Sequence, residues 1–325
     1  MALEAEEDES LFRKILPYLL LASAITAVSF SAIIVVKLLE RDVPAEITAM
    51  YRTLFAGIGA LILSIRKKDF KWIGKTTTIR RSYWIVLAGL FLAVHFATWF
   101  ISLDYVSVAI STTLVDTVPI FLAIFGFIFF KEKINILGIF GIIVAFGGGV
   151  LLAFVSPSSN GTQSNLILGI GFSLIGALTV TFYFLIGKKI LQDSPLWPYF
   201  AIVNLSSALF LFIYCLIRGY RMELFQYSAF VYLLFIIAAL APSLIGHATY
   251  NYSMRNLPAF VVGVAILGEP IGATILGVIM LNQKPDPITI LYAGIILVGI
   301  VLTSISQNLT ISIPWKKRRE KENQQ

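Results

Sequence analysis

The sequence predicts an all-α polytopic membrane protein whose ten transmembrane helices form two inverted five-helix repeats. Three observations support this fold class: a hydrophobic composition, ten long apolar segments, and residues that recur at one constant spacing. Hydrophobic residues make up 58% of the 325-residue chain, charged residues 13%, and the mean hydropathy is +0.87. Soluble globular chains are closer to half apolar and about a quarter charged. A chain this apolar needs lipid as part of its solvent.

Ten apolar segments are each long enough to cross a bilayer as a helix. A hydrocarbon core of about 30 Å requires about 20 apolar residues per helix. The segments are continuously apolar rather than alternating, which favours helices over the strands of a barrel. No small-residue cleavage site follows the first segment, so we expect it to be retained as a span. We predict spans at residues 15–37, 46–65, 83–103, 106–130, 135–155, 166–188, 197–217, 228–253, 258–281 and 287–306.

Lysine and arginine are distributed unevenly between the two sides of this arrangement. With ten spans, 19 of the 25 lie on the side that holds both termini, five lie on the other side, and Arg52 lies within a span. Because cytoplasmic segments carry the excess of positive charge, we expect a multi-pass protein of the cell membrane with both termini in the cytoplasm. The net charge of +7 then reflects topology, and we expect no nucleic-acid partner. The predicted organisation is a cytoplasmic N-terminal segment (1–14), a first repeat (15–155), an external linker (156–165), a second repeat (166–306) and a basic cytoplasmic tail (307–325).

The two halves of the chain match at a single spacing. Pro44 and Pro195 lie 151 positions apart, and other identical residues recur at the same spacing without a gap. They are Lys37 and Lys188, Asp42 and Asp193, Ala97-Thr98 and Ala248-Thr249, Pro119 and Pro270, and Gly148 and Gly299. Because each half contains an odd number of spans, the second half enters the membrane from the opposite side. Inverted repeats of this kind can open a central site to either face of a membrane, so the repeat predicts transport rather than packing alone.

The ends of both halves carry a recurring pattern. Residues 114–151 and 267–302 each contain a proline in the fourth helix, a short polar hairpin and a fifth helix with glycine. Nearly the whole chain thus resembles the drug/metabolite transporter (DMT) superfamily, specifically an EamA-type permease with two EamA repeats. The hairpin Lys131-Glu132-Lys133 matches the family pattern, whereas Gln283 stands where the family has a glutamate. Arg52 also resembles a family arginine. The resemblance implies export of a small metabolite such as an amino acid.

Two acidic residues lie well inside predicted spans. A charged side chain at bilayer depth costs at least ~2.5–3.5 kcal/mol, so such residues are candidates for function. Glu269 precedes Pro270 and Asp116 lies three residues before Pro119. Each proline frees an upstream carbonyl, so we expect it to place irregular backbone beside a polar cavity. We interpret both carboxyls as groups that titrate protons or bind an amine, the alternative being that other side chains satisfy them structurally.

Arg52 is the basic residue within a span. It could bind a substrate carboxylate, or it could form a structural pair with Asp116 or Glu269. Two polar-aromatic stretches add further candidates for substrate binding, namely His95 and Trp99 in one and His247, Tyr250 and Asn251 in the other. Aromatic faces beside a few hydrogen-bonding groups suit an amphipathic organic solute, and histidine can carry protons. The alternatives are helix contacts for the histidines and membrane-interface anchors for Trp99 and Tyr250.

The leading functional hypothesis is a secondary transporter that works by alternating access. The sequence has no GxxxxGK[ST] loop, which argues against direct ATP drive. An organophosphate or nucleotide-sugar exchanger is an alternative, although phosphate at depth should require several basic side chains. From other classes, the alternatives are an intramembrane enzyme, for which no HExxH or Gly-x-Ser-x-Gly motif is present, and a non-transporting receptor. We expect a small-molecule substrate and the lipid bilayer as partners, possible coupling to a proton, and no catalytic residue, metal or cofactor. A homodimer is compatible with the sequence.

Overall fold

The computed structural model describes residues 2–72, 79–103, 105, 111, 114–155, 165–221, 226–281 and 286–310. In these ranges the regular secondary structure is helical. The helices are α1 (Ala2–Leu39), α2 (Ala45–Arg66), α3 (Ile79–Leu103), α4 (Val118–Phe130), α5 (Ile136–Val155), α6 (Leu166–Ile190), α7 (Leu196–Ile217), α8 (Ala229–Ala238), α9 (Ala248–Asn256), α10 (Ala259–Ile266), α11 (Glu269–Leu281) and α12 (Pro287–Thr310), with a π-helix, Ala239–His247, between α8 and α9.

The helices confirm the predicted fold class. Within the described residues, eight helical segments are long and apolar enough to cross a membrane, and the apolar segments Val118–Phe130 and Ile136–Leu152 are shorter. α8, the π-helix and α9 run on as one segment, and so do α10 and α11, so the elements correspond to the ten predicted spans. The first helix is longer than predicted, since α1 begins at Ala2, well before the predicted first span, and α12 continues four residues past the predicted end to Thr310.

The fourth and ninth spans are both interrupted, at positions that correspond in the two repeats. A turn at Asp116 and Thr117 precedes α4, and a turn at Leu267 and Gly268 separates α10 from α11. The two turns lie 151 positions apart. A proline occupies the first turn of each following helix, where its missing N–H would have no intrahelical partner anyway. The backbone groups released at these turns can therefore line a polar site.

The packing of the helices is symmetric under exchange of the two halves. α5 packs on α12, α2 on α7 and α4 on α10, so the fifth, second and fourth spans each contact their own counterparts. α3 packs on α6 and α1 packs on the π-helix, and these two contacts replace one another when the repeats are exchanged. This pattern is the one expected for repeats related by a pseudo-two-fold axis, and it places the contact surface of the two repeats at the centre of the bundle.

The repeat-related glycines Gly148 and Gly299 lie where α5 and α12 approach closely. A Cβ atom added at Gly148 would lie 2.9 Å from Cγ1 of Ile296, and one added at Gly299 would overlap the backbone of Ala145. Small residues at such a contact let helix backbones come together within a membrane. The two glycines therefore fix the pairing of the fifth and tenth spans.

Several predicted features lie outside the described residues. They include most of the linker predicted at 156–165, the basic cluster of the C-terminal tail, and the second hairpin with Gln283. The domain boundaries given above thus remain predictions.

Candidate functional site

The guanidinium of Arg52 lies at the meeting point of α1, α2, α3 and the π-helix. Only 8% of this residue is exposed. Its Nε donates to Ser243 Oγ at 2.8 Å, its Nη1 donates to Ser31 Oγ at 3.0 Å, and its Cζ lies 5.4 Å from the ring centroid of Phe96. Since hydroxyl groups and an aromatic face carry no formal charge, these contacts orient the guanidinium without neutralising it.

Glu269 begins α11 directly after the interrupting turn. One carboxylate oxygen accepts a hydrogen bond from Tyr250 Oη at 3.2 Å, and its backbone carbonyl accepts one from Ser29 Oγ at 3.1 Å. The carboxyl group interacts electrostatically with Asp116 and with Arg52. The ion pairs of the described residues do not include a direct Arg52–Glu269 pair. The charges of Arg52 and Glu269 therefore interact across the same region without forming a direct ion pair.

Asp116 lies in the turn that precedes α4, at the position that corresponds to the turn before α11. It is part-buried, and within the described part of the chain no hydrogen bond or ion pair holds its carboxyl group. Thr117 does not satisfy it, because the Thr117 hydroxyl donates to the Leu114 carbonyl at 2.7 Å. Thr112 and Thr113, the other residues that could do so, lie outside the described residues. Asp116 thus places a second carboxyl group near Glu269.

The two histidines lie beside Arg52, His95 on α3 and His247 at the end of the π-helix. His95 is 7% exposed, and its Nδ1 lies 2.9 Å from the Gly176 carbonyl oxygen, which requires the proton to be on Nδ1 and leaves Nε2 as the free ring nitrogen. The His95 ring stacks on Trp99, with centroids 6.3 Å apart. His247 stacks on Phe184 at 6.3 Å and meets the edge of Tyr250 at 6.2 Å. Both histidines interact electrostatically with Arg52.

Asn251 and Trp99 contribute to the site in different ways. Asn251 is fully buried, and its Nδ2 donates to Tyr183 Oη at 2.5 Å and to the His247 carbonyl at 2.9 Å. Tyr183 is also fully buried and interacts electrostatically with Arg52. The Nε1 atom of Trp99 is buried without a hydrogen-bond partner among the described residues, although the ring itself is partly exposed. Asn251 therefore supports the site through Tyr183, whereas Trp99 offers it an unused donor.

The structure gathers the predicted residues into one polar cluster, which we call the central cluster. It combines a cation, two carboxyl groups and aromatic rings from both repeats. Its members are Arg52, His95, Trp99, Asp116, His247, Tyr250, Asn251 and Glu269. Pro119 and Pro270 do not contribute side-chain groups but stand in the first turns of α4 and α11.

Three contributors to the central cluster were missed from the sequence: Ser31, Ser243 and Tyr183. Ser31 and Ser243 hold the guanidinium, and Tyr183 receives the Asn251 amide. Ser243 directly follows Pro242 within the π-helix. A proline-serine pair inside an apolar span is a signal that could have identified this residue, since π-helical turns occur often at functional sites.

Comparisons with known proteins bear on the family and the fold of the chain. A sequence model described as the EamA-like transporter family matches residues 14–154 and again residues 167–305. An uncharacterized transporter, YxxF, of Bacillus subtilis (strain 168) is 25% identical over 254 residues, covering 78% of each chain. An uncharacterized transporter of Archaeoglobus fulgidus is 24% identical over 234 residues, which cover 70% of this chain and 78% of that one. A crystal structure of a protein with 15% identity superimposes with a TM-score of 0.75, covering 90% of this chain and 98% of that chain, and shows the same fold.

Proposed function

The chain belongs to the EamA-like transporter family, and we propose that it exports an amino acid or a related small zwitterion by alternating access. One observation carries this proposal: a buried arginine and two carboxyl groups face the same region, at the contact of the two repeats, without forming a direct ion pair with each other. Opposite charges held apart in this way can each receive one end of a zwitterion.

The charges of the central cluster match the two ends of an amino acid. A guanidinium has five N–H donors, and the hydroxyls of Ser31 and Ser243 use two of those on Arg52, so donors remain for a substrate carboxylate. Glu269 and Asp116 would receive the ammonium group. The rings of Phe96, His247 and Trp99 would pack on the apolar part of the solute. A site that pairs both charges compensates for the removal of the solute from water.

The inverted repeats supply the mechanism. Because equivalent helices of the two halves contact one another across the central cluster, an exchange of their conformations would open the same site first to one face and then to the other. We place both termini in the cytoplasm, on the distribution of lysine and arginine. Outward movement of the solute is what the resemblance to EamA-type permeases implies. Protonation of Glu269 or Asp116 would couple this movement to a proton.

An organophosphate or nucleotide-sugar exchanger fits the central cluster less well. Two phosphate charges would be matched by a single arginine and opposed by two carboxyl groups. The arrangement therefore favours a zwitterion or an amine over a multiply charged anion.

A thermal-shift screen of the purified protein tests this proposal. The ligands would be amino acids, polyamines, nucleosides, sugars and phosphorylated metabolites, since any ligand that binds the native state raises the apparent melting temperature. We expect amino acids or amines to raise it, and we expect Glu269→Gln to abolish the rise. The matched control is Glu40→Gln, because the Glu40 side chain is 64% exposed and lies outside the central cluster. Stabilisation by phosphorylated compounds alone, unchanged in Glu269→Gln, would overturn the proposal in favour of the exchanger.

A further inference from the structure

A buried ion pair lies at one end of the helix bundle, outside the central cluster. The Lys188 ammonium, near the end of α6, lies 2.9 Å from Glu132 Oε1 in the hairpin between α4 and α5, and the two side chains are 9% and 11% exposed. The Lys188 ammonium also lies 5.6 Å from the ring centroid of Phe130. Burial of two charges that do not belong to the proposed solute site needs a reason of its own, because their desolvation offsets much of their attraction.

Every hydrogen-bonding group of the lysine is used. Its Nζ donates to the backbone carbonyls of Met254 at 2.8 Å and Leu257 at 2.7 Å, in addition to Glu132. An ammonium has three donors, so none is left over. The second carboxylate oxygen of Glu132 accepts the backbone N–H of Ala259 at 2.8 Å, at the start of α10. The pair therefore binds the end of α9 through the lysine and the start of α10 through the glutamate.

The elements tied by this pair come from different repeats. Glu132 belongs to the first repeat, whereas Lys188, Met254, Leu257 and Ala259 belong to the second. For a central site to open toward this end of the bundle, the hairpin of one repeat has to separate from the helix ends of the other. A compact set of charge-assisted contacts that forms or breaks as a unit has two states, as a conformational switch requires.

We infer that the Glu132–Lys188 ion pair is a latch that holds shut the end of the protein where α4, α6 and α9 meet, and that solute crosses this end only after the pair breaks. This inference rests on the proposed function, since a latch has meaning only in a protein that opens alternately to two faces. Removing one partner leaves the other buried and unpaired, which strongly destabilises the closed arrangement relative to an open one.

Distances between spin labels on the two sides of the latch test this inference. Lys133, in the hairpin between α4 and α5, and Asn256, at the end of α9, are exposed, and Cys215 is the single native cysteine. The labels would be placed at Lys133→Cys and Asn256→Cys in a Cys215→Ala background. We expect one short distance in the parent protein. In Lys188→Met and in Glu132→Gln we expect the fraction of longer distances to rise at least about tenfold.

A control variant and the choice of Glu132→Gln make the result specific. Lys189 is the exposed neighbour of Lys188, so Lys189→Met is a matched control in which the distances should stay as in the parent. Glu132→Gln keeps an oxygen for the Ala259 N–H and removes only the charge, so it carries the test if Lys188→Met does not fold. Parent-like distances in both latch variants would overturn the inference.

Failure of the latch and failure of the proposed function give different results. The distances are measured without solute, whereas flux is measured in proteoliposomes. Altered distances in a protein that opens but moves no amino acid or amine would support the latch and remove the proposed substrate class. Flux with unaltered distances would keep the proposed function and remove the latch.

Discussion

The two repeats share a backbone plan but place their carboxylates differently. In the second repeat, Tyr250 donates to Glu269, and the positions that correspond to these residues in the first repeat are Trp99 and Val118. In the first repeat, Glu132 receives a lysine of the second repeat, Lys188. The residues that correspond to this ion pair are Gln283 and Lys37, and Gln283 carries no charge.

This difference shows that the two repeats share backbone features and differ in the placement of their carboxylates. The interrupted fourth and ninth spans and the paired glycines Gly148 and Gly299 recur in both halves, since both halves have to form the same backbone. The carboxylates of Glu132 and Glu269 do not recur, since Gln283 and Val118 stand at the corresponding positions. A symmetric set of charges would treat the two membrane faces alike, whereas a carboxylate at the Glu132 position of one hairpin, with Gln283 at that position of the other, would stabilise closure at one end. In the proposed mechanism, the repeat would provide the exchange of conformations, and the substitutions between repeats would favour closure at one end over the other.

Replacement of Arg52 should have the largest effect. Arg52→Gln removes the cation that faces Glu269 and Asp116, and we expect binding of a zwitterion to weaken at least about 30-fold, since the loss of one partner of a buried charge pair costs about 2 kcal/mol or more. Titration of the thermal-shift ligand measures this change. Arg66→Gln, at the exposed end of the same helix, is the control and should bind as the parent does. Equal affinities in Arg52→Gln and Arg66→Gln would remove Arg52 from the binding site.

Removal of the Tyr250 hydroxyl should have an intermediate effect. Tyr250→Phe keeps the ring contacts with His247 and Phe184 but deletes the hydrogen bond to Glu269, so we expect about tenfold weaker binding. Tyr252→Phe removes the same group from an exposed neighbouring tyrosine and should leave affinity unchanged. The same ligand titration measures the affinity of each variant. A Tyr250→Phe protein with parent affinity would show that the Tyr250 hydroxyl has no part in binding.

A carboxylate added to the second hairpin should have the smallest effect. Gln283→Glu gives the second hairpin the charge that the first hairpin has, and Lys37 stands at the position corresponding to Lys188. We expect the fraction of longer distances between spin labels at positions 133 and 256 to rise several-fold, because closure at the opposite end becomes more favourable. Asp286→Glu, which alters an acidic residue close by without adding a charge, is the control. A fall in the fraction of longer distances would contradict the comparison of the two repeats.

Much of the fold follows from the sequence because a bilayer restricts the alternatives. Apolar segments of about 20 residues must be helices, and charges within them are costly, which is why Arg52, Asp116 and Glu269 could be selected without a structure. Serines in helices carry no such signal. Ser29 donates to the carbonyl of Ile25, four residues earlier, as well as to Glu269, while Ser31 and Ser243 bind Arg52. Sequence does not distinguish these uses, because a serine hydroxyl in a helix can always bond locally.

The Glu132–Lys188 contact illustrates a second limit. Glu132 was visible as a charge in a short connecting segment and Lys188 as a charge at the end of a predicted span, but nothing in the sequence indicated that the two would pair. Their pairing depends on how the first hairpin meets the ends of α6 and α9, which belong to the other repeat. Such a contact follows from the tertiary arrangement of the two repeats and not from local pattern.

Counterflow in proteoliposomes tests the central claim most directly, namely that the central cluster carries a zwitterion from one face to the other. Vesicles would be loaded with the unlabelled solute that stabilises the protein best. They would then be diluted into a solution that contains the same solute with a radiolabel. We predict that the parent protein accumulates the label transiently and that Arg52→Gln does so far more slowly. Tight binding by the parent without any accumulation of label would contradict the account and would indicate a receptor rather than a transporter.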